Sequence, residues 1–393
     1  MEDVVIVGAA RTPIGKFNGA YAGLTATDLG AAAVRAAVAR AGIDPASVDE
    51  CILGNVVAAG LGQAPARQAA LKGGLPASVG ALAINKVCGS GLKAVMLGAA
   101  LIRTGEAEVI VAGGMEHMSG APYLLPNARN GYRLGNGALL DALIHDGLWC
   151  AFEHQHMGNS AEWIAQAQHV TRAQQDAFAL QSHERAVAAW DAGRFAAEIA
   201  TVSVPGPKGS TLTIEADEGP RRDSTLQALS KLRPAFAKDG TVTAGNAPGI
   251  TDGAAALVLM SATRAARLGL TPLARVEHGA QAGVPPLEVF TAPPFAIKRL
   301  MERAGTTVDD YDLFEINEAF AAQVIANIRA VGLDPDRVNV NGGAIALGHP
   351  VGASGARVLV SLIYALKARG GRRGLASLCL GGGEAVALAV ETL

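Results

Sequence analysis

Cysteine and histidine residues set ahead of two similar helices are the groups of this chain best suited to covalent chemistry. Cys88 opens residues 85–114, where Leu92, Val95, Met96, Ala99, Leu101 and Ile102 recur at helical spacing. Residues 108–112 then have strand composition and end in Gly113-Gly114. A helix start offers unpaired backbone N–H groups and the positive end of the dipole, which favour a thiolate, and Gly89 and Gly91 let a ligand approach the backbone. Taken alone, the stretch also fits a buried, inert thiol. His349 lies in the glycine-rich run 341–355 ahead of a second apolar helix, and Cys379 lies in the strand after it. A single loop histidine is readily satisfied by one backbone partner, whereas a thiol beside an imidazole is an activated nucleophile.

The two regions share an order. Ser90-Gly91 to Gly113-Gly114 and Ser354-Gly355 to Gly381-Gly382 both read Ser-Gly, apolar helix, Arg and Gly, apolar strand, Gly-Gly. That internal repeat implies two similar α/β halves. If a pseudo-twofold axis relates them, Cys88 and His349 face each other across one crevice.

The elements that must position these groups follow from the surrounding pattern. Residues 4–8 form a first strand, 9–16 a turn-rich loop, 27–40 an alanine-rich helix that Thr25 or Thr27 caps, and 50–57 a strand holding Cys51 as core. From 116 to 243 the strand–helix alternation lapses. Pro, Asn and Gly crowd 122–137, histidines gather at 145, 154 and 156, and a long polar helix covers 172–192. This texture predicts an inserted loop domain over the sheet. Within it the cations at 221–222 and 231–233 make either a solvated face or a phosphate-binding rim. The α/β rhythm resumes with strands at 255–260, 274–277 and 311–316 and helices at 294–304 and from 317. Helices covering both faces of such a sheet define the α/β class. The expected units are an N-terminal half, 1–117, the loop domain, 118–247, and a C-terminal half, 248–393, with 244–270 able to complete strands of the first.

Composition narrows the function classes. The chain has 393 residues, 50% of them hydrophobic and 17% charged, so it can bury a large core. A net charge of −2 supplies no global field for nucleic acid or an anionic membrane, and any anionic ligand must meet a local basic patch. Four cysteines without C-x-x-C spacing suggest neither a zinc site nor a disulfide framework. With no signal-peptide pattern and no uninterrupted apolar run of about 18 residues, a soluble cytoplasmic protein is expected.

Four short motifs, Cys88-Gly89-Ser90-Gly91, Asn317-Glu318-Ala319-Phe320, Gly348-His349-Pro350 and Cys379-Leu380-Gly381-Gly382-Gly383, together resemble the active-site motifs of the thiolases. Gly113-Gly114-Met115-Glu116, His156-Met157-Gly158 and residues 232–236 extend the resemblance over the whole chain. It implies a layered α-β-α-β-α fold of two pseudo-symmetric halves and a ping-pong acyl transfer between coenzyme A and Cys88. In that scheme His349 takes the thiol proton and, with a water held by Asn317, donates to the thioester oxygen of a second acetyl-CoA. Cys379 exchanges the α-proton, and the N–H groups of Cys88 and Gly381 hold the acyl oxygen.

The same resemblance puts Arg221 at the nucleotide end of coenzyme A and Phe236 and Ala244 along the pantetheine. Leu148, His156, Met157, Pro248, Ala319 and Phe320 fall in the neighbouring pocket. It implies coenzyme A thioesters as substrates, no permanently bound cofactor, no metal, no nucleic acid and no membrane. A homotetramer built as a dimer of dimers through 122–137 is also implied. His156-Met157 favours condensation of two acetyl-CoA to acetoacetyl-CoA, or the reverse, over cleavage of longer 3-ketoacyl chains. Pro248 in place of a common serine, Trp149 and Cys150, and Phe290 depart from the usual pattern around the substrate. They bear on chain length, not on the reaction class.

Overall fold

The computed structural model describes residues 2–393. Nine strands form one hydrogen-bonded path: β1 (Val4–Arg11), β2 (Glu50–Gly54), β3 (Gly80–Ile84), β4 (Val109–His117), β5 (Thr251–Ser261), β6 (Ala274–Gly283), β7 (Leu313–Ile316), β8 (Arg373–Leu380) and β9 (Glu384–Thr392). Their order is β7-β8-β9-β6-β1-β5-β4-β2-β3.

Antiparallel pairing of β1 with β6, Val4 opposite Val276 through Ile6 opposite Ala274, joins two matching halves. Outward from that junction each half passes two antiparallel pairings, β1/β5/β4 in one and β6/β9/β8 in the other. Parallel pairing follows on both sides, β4/β2/β3 and β8/β7, with a Phe314–Val338 bridge standing where β3 stands in the first half.

Helices α1 (Ala26–Ala41), α2 (Pro65–Lys72), α3 (Ser90–Thr104), α4 (Met157–Ala167), α5 (Arg172–Asp191), α6 (Ala292–Ala304), α7 (Ala321–Val331) and α8 (Val351–Arg369) complete the frame. The period-two alternation of the strands decides the layering. Ile110, Ala112, Leu257 and Leu259 face one core shared with α3, α8 and the β8 residues Leu378 and Leu380, while Val109, Val111, Val258 and Met260 face the opposite core under α1 and α2. A third core lies between the second half-sheet and α6 and α7. The result is α-β-α-β-α, with α3 and α8 as the central layer. Both central helices have the length and mean hydropathy, 1.3, of a membrane span, yet 83% of α8 is buried between the half-sheets.

Several boundaries differ from the sequence expectation, among them the helix expected from 317, which starts at Ala321, and three others have a packing reason. β4 runs through Gly113-Gly114 to His117 instead of ending there. A side chain at 113 would strike the Ala255 carbonyl, and one at 114 the Gly352 carbonyl, so these glycines mark close approach inside a strand. β1 continues to Arg11, which the expected loop contained, because that guanidinium is buried and paired with Glu198 and Asp217. The last long helix starts at Val351, three residues before Ser354, which brings its N-terminus next to His349. Between β4 and β5 lie α4, α5 and three small hairpins: Tyr123–Leu124 with Leu140–Asp141, Trp149–Cys150 with Gln155–His156, and Val202–Pro205 with Thr211–Ile214.

Candidate active site

Cys88 ends a tight turn that the sequence builds with three polar contacts. Asn85 Oδ1 accepts from Val87 N at 2.9 Å, and Ser90 Oγ accepts from Lys86 N at 2.8 Å and donates to the Val87 carbonyl at 2.7 Å. Val87 is held at a φ of 46°, a left-handed conformation that costs a β-branched residue on the order of 1–3 kcal/mol. This turn delivers Cys88 two residues ahead of α3, on the wall of a cavity of about 840 Å³.

The cavity brings together residues from both halves and from the insertion. Cys88, His349, Cys379 and Gly381 line it, as do Leu148, His156, Met157, Phe236, Pro248, Ala319 and Phe320. Trp149, Cys150 and Phe290, the departures noted in the sequence, line it too. Arg221 and Ala244 do not. They border an adjoining cavity of about 300 Å³ with Lys16 and His183, and the two cavities share Ala247, Gly249 and Ile250 as walls.

Asn317 lies outside the lining and reaches the site through His349, its Nδ2 standing 3.3 Å from the imidazole Nε2. The other imidazole nitrogen, Nδ1, is 2.6 Å from Ser354 Oγ, which lies 2.9 Å from the Pro350 carbonyl. A hydroxyl has one proton, so donation to that carbonyl requires the histidine to donate from Nδ1. The Nε2 lone pair is then the acceptor for the Asn317 Nδ2–H, on an imidazole that lines the cavity.

Electrostatics differ from the sequence expectation in one respect. The helix start was expected to favour a thiolate at Cys88, but desolvation pushes this thiol up to about 12, overriding two backbone N–H groups, its own and Gly381's, that point at it. Cys379 is raised well above the ordinary thiol range by burial and by Cys88 beside it. Burial, then the Arg357 guanidinium, push His349 down to about 3. At neutral pH the resting site therefore holds two thiols and an uncharged imidazole. Such a set moves one proton at a time and keeps no standing ion pair.

An aromatic series forms one wall of the cavity. His156 stacks on Phe236 at 4.8 Å between centroids, Phe236 meets Phe320 edge-on at 6.2 Å, and Phe320 meets Phe290 edge-on at 5.4 Å. The His156 Nδ1 accepts from Gly158 N at 3.0 Å, capping α4 and fixing the ring. A side chain at Gly158 would enter the Phe236 ring, so this wall is rigid on both sides.

Two functional neighbours escaped the sequence reading. Ser354 appeared there only as a marker of the repeat, and Glu116 only inside a motif. Their signals were available: a hydroxyl one turn into the helix behind the histidine, and a carboxylate in an otherwise apolar strand. Among the described residues no group of three or more His, Cys, Asp or Glu side chains is placed to hold a metal.

Comparison with known proteins places this geometry in a class. The thiolase N-terminal domain matches residues 4–263, and the thiolase C-terminal domain matches 270–392. The chain belongs to the thiolase family. It is 55% identical over 388 residues to an acetyl-CoA acetyltransferase of Pseudomonas aeruginosa, covering 99% of each chain. With the acetyl-CoA acetyltransferase of Cupriavidus necator it shares 54% over 391 residues and 100% of both lengths. The crystal structure of the Bacillus anthracis acetyl-CoA acetyltransferase superposes with a TM-score of 0.98 at 44% identity, covering 100% of this chain and 99% of that one.

Proposed function

We propose that this protein is an acetyl-CoA acetyltransferase that joins two acetyl-CoA into acetoacetyl-CoA and coenzyme A, and runs the reverse, through an acetyl group on Cys88. The observation that carries the reading is the convergence of Cys88, Cys379, His349 and the Gly381 N–H on one cavity. The names of the full-length relatives support it.

The proton bookkeeping closes on these four groups. His349 Nε2 takes the Cys88 proton as the sulfur attacks the thioester carbon. The oxygen charge is met by the N–H groups of Cys88 and Gly381, and the imidazolium returns the proton to the departing coenzyme A sulfur. For the second substrate, Cys379 passes its proton to His349 and takes the α-proton of acetyl-CoA. The imidazolium, with a water held by Asn317, then faces the enolate oxygen. Carbon–carbon bond formation expels the Cys88 sulfur, which recovers its proton from His349, and both thiols are restored. Coenzyme A reaches the sulfur past Phe236, with Arg221 and Ala244 bordering the adjoining cavity on its outer side. Pro248 supplies neither a hydroxyl nor a backbone N–H there.

The rigid His156–Phe236–Phe320–Phe290 wall favours a short acyl group. Turnover of acetoacetyl-CoA should exceed that of 3-ketoacyl-CoA esters of about eight to sixteen carbons by at least tenfold, since each methylene accommodated or refused is worth about 1–3 kcal/mol. Preference for the long chains would overturn the acetoacetyl-CoA assignment and leave acyl transfer standing.

A homotetramer, arranged as a dimer of dimers, fits two exposed features. The β3 edge carries an exposed Leu82, and the stretch Val87–Thr104 that ends in α3 is only 50% buried where α8 is 83% buried, so one face awaits a second copy. The hairpin segment 123–141 separately exposes Tyr123, Leu125, Leu134 and Leu139. Light scattering should give a tetramer for the intact chain and a dimer when residues 125–139 are replaced by a short linker. A monomeric intact chain would remove the proposal. Four unpaired cysteines, two of them required as thiols, fit a reducing cytoplasm.

A further inference from the structure

Glu116 ends in the most fully occupied carboxylate near the cavity. Its Oε1 accepts from Asn55 Nδ2 at 2.8 Å and Val57 N at 3.2 Å, and its Oε2 accepts from Val56 N at 3.0 Å and Gly352 N at 2.9 Å. The residue is fully buried. Four N–H donors use the four acceptor sites of a carboxylate and leave no place for a proton. Burial pushes the group up to about 7, and the three backbone donors act against that push.

The donors come from opposite sides of the site. Asn55, Val56 and Val57 follow β2, and Val56 lines the cavity while Val57 shares a small core with Cys88. Gly352 is in the first turn of α8, three residues after His349. A side chain at 352 would stand 2.7 Å from Glu116 Oε2 and 2.9 Å from the Asn55 Cα, so only glycine lets the helix reach the carboxylate. Glu116 thus fastens the wall behind the nucleophile to the helix that carries the base. Its charge also acts on Cys88, whose thiolate it opposes. The titratable groups that interact with it are Asp252 on the adjoining strand β5 and Cys88 ahead of α3.

From this arrangement we infer that Glu116 is a positioning residue for acyl transfer, clamping the Cys88 wall to the His349 helix through the four hydrogen bonds its carboxylate accepts. The inference rests on the acyltransferase reading, but one of its readouts does not require turnover.

Glu116→Gln keeps the shape and replaces two acceptor sites by N–H donors that oppose the surrounding N–H groups. With the charge gone and the clamp broken, acetoacetyl-CoA thiolysis should fall at least tenfold, while alkylation of Cys88 by iodoacetamide at pH 7 should quicken several-fold. A general loss of structure would expose all four cysteines to the reagent, so the labelled site is read by peptide mass and the result counts where Cys88 alone quickens. Wild-type turnover in a folded variant, or alkylation that slows along with turnover, would overturn the inference. If Glu116→Gln does not fold, Asn55→Ala decides the clamp, since it removes one donor and leaves the charge. Turnover should then fall with alkylation unchanged, and unchanged turnover would overturn it. A wild-type enzyme inactive on acetoacetyl-CoA would fail the functional reading instead, leaving the alkylation comparison to test the charge.

Discussion

Replacing Cys88 by alanine should abolish both acetyl transfer and covalent labelling by acetyl-CoA, with turnover falling on the order of 10⁴-fold or more. The size follows from what remains. Gly381 N–H, His349 and the aromatic wall would still bind a thioester, but no second nucleophile stands under the two N–H groups that face the Cys88 sulfur. Cys379 is in the same cavity, yet it leaves β8 on the face opposite Leu378 and Leu380 and packs among Phe290, Phe320 and Ala319. Cys379→Ser separates the two half-reactions. It should still become acetylated on Cys88, as followed by the mass of the intact chain, and condense poorly, because an alcohol is too weak an acid to exchange the α-proton through His349. Condensation retained by Cys88→Ala would sink the covalent route. Acetylation lost in Cys379→Ser would show that the two thiols do not divide the labour.

Much of this site was legible because its parts repeat. The two Ser-Gly helices and their Gly-Gly strand ends could be matched in the sequence, and the match put Cys88 and His349 at equivalent starts of α3 and α8. What the pattern could not carry was environment. A helix start argues for a thiolate, but the desolvation that reverses the argument comes from chain segments far apart in sequence, among them Val56, Met118, Leu143 and Val351 of the small core that Cys88 packs against. The strand end at Gly113-Gly114 was misplaced for a related reason. Glycine in a sequence reads as a turn, and only the neighbouring Ala255 and Gly352 carbonyls show that it is needed within the strand.

Ser354 and Glu116 illustrate the same limit. Their types were visible, but their meaning lies in partners 5 and 59 to 236 positions away. The reading of Arg221 and Ala244 was half spatial as well. Both border a cavity, although it adjoins the one that holds the sulfur atoms.

The sharpest test of that environment is the removal of His349. On the proposed route the Cys88 proton leaves to a neutral imidazole, and both partners hold their reactive forms from about pH 3 to about pH 12. The assisted path is therefore flat with respect to these two groups across the accessible range. In His349→Ala only the spontaneous thiolate is left, and below a thiol value of about 12 its share falls tenfold for each unit that pH drops. The ratio of wild-type to variant acetylation rates should then rise about tenfold per unit from pH 8 to pH 5, starting from a loss of at least about 10²-fold, the lower end for a general base. Taking a ratio at each pH cancels any other group that titrates in both proteins, Glu116 included. An imidazole with the ordinary value of 6.5 would protonate below it, and the wild-type rate would fall alongside the variant's. The ratio would then level off under pH 6.5, and that plateau would refute a base held neutral by burial and the Arg357 charge.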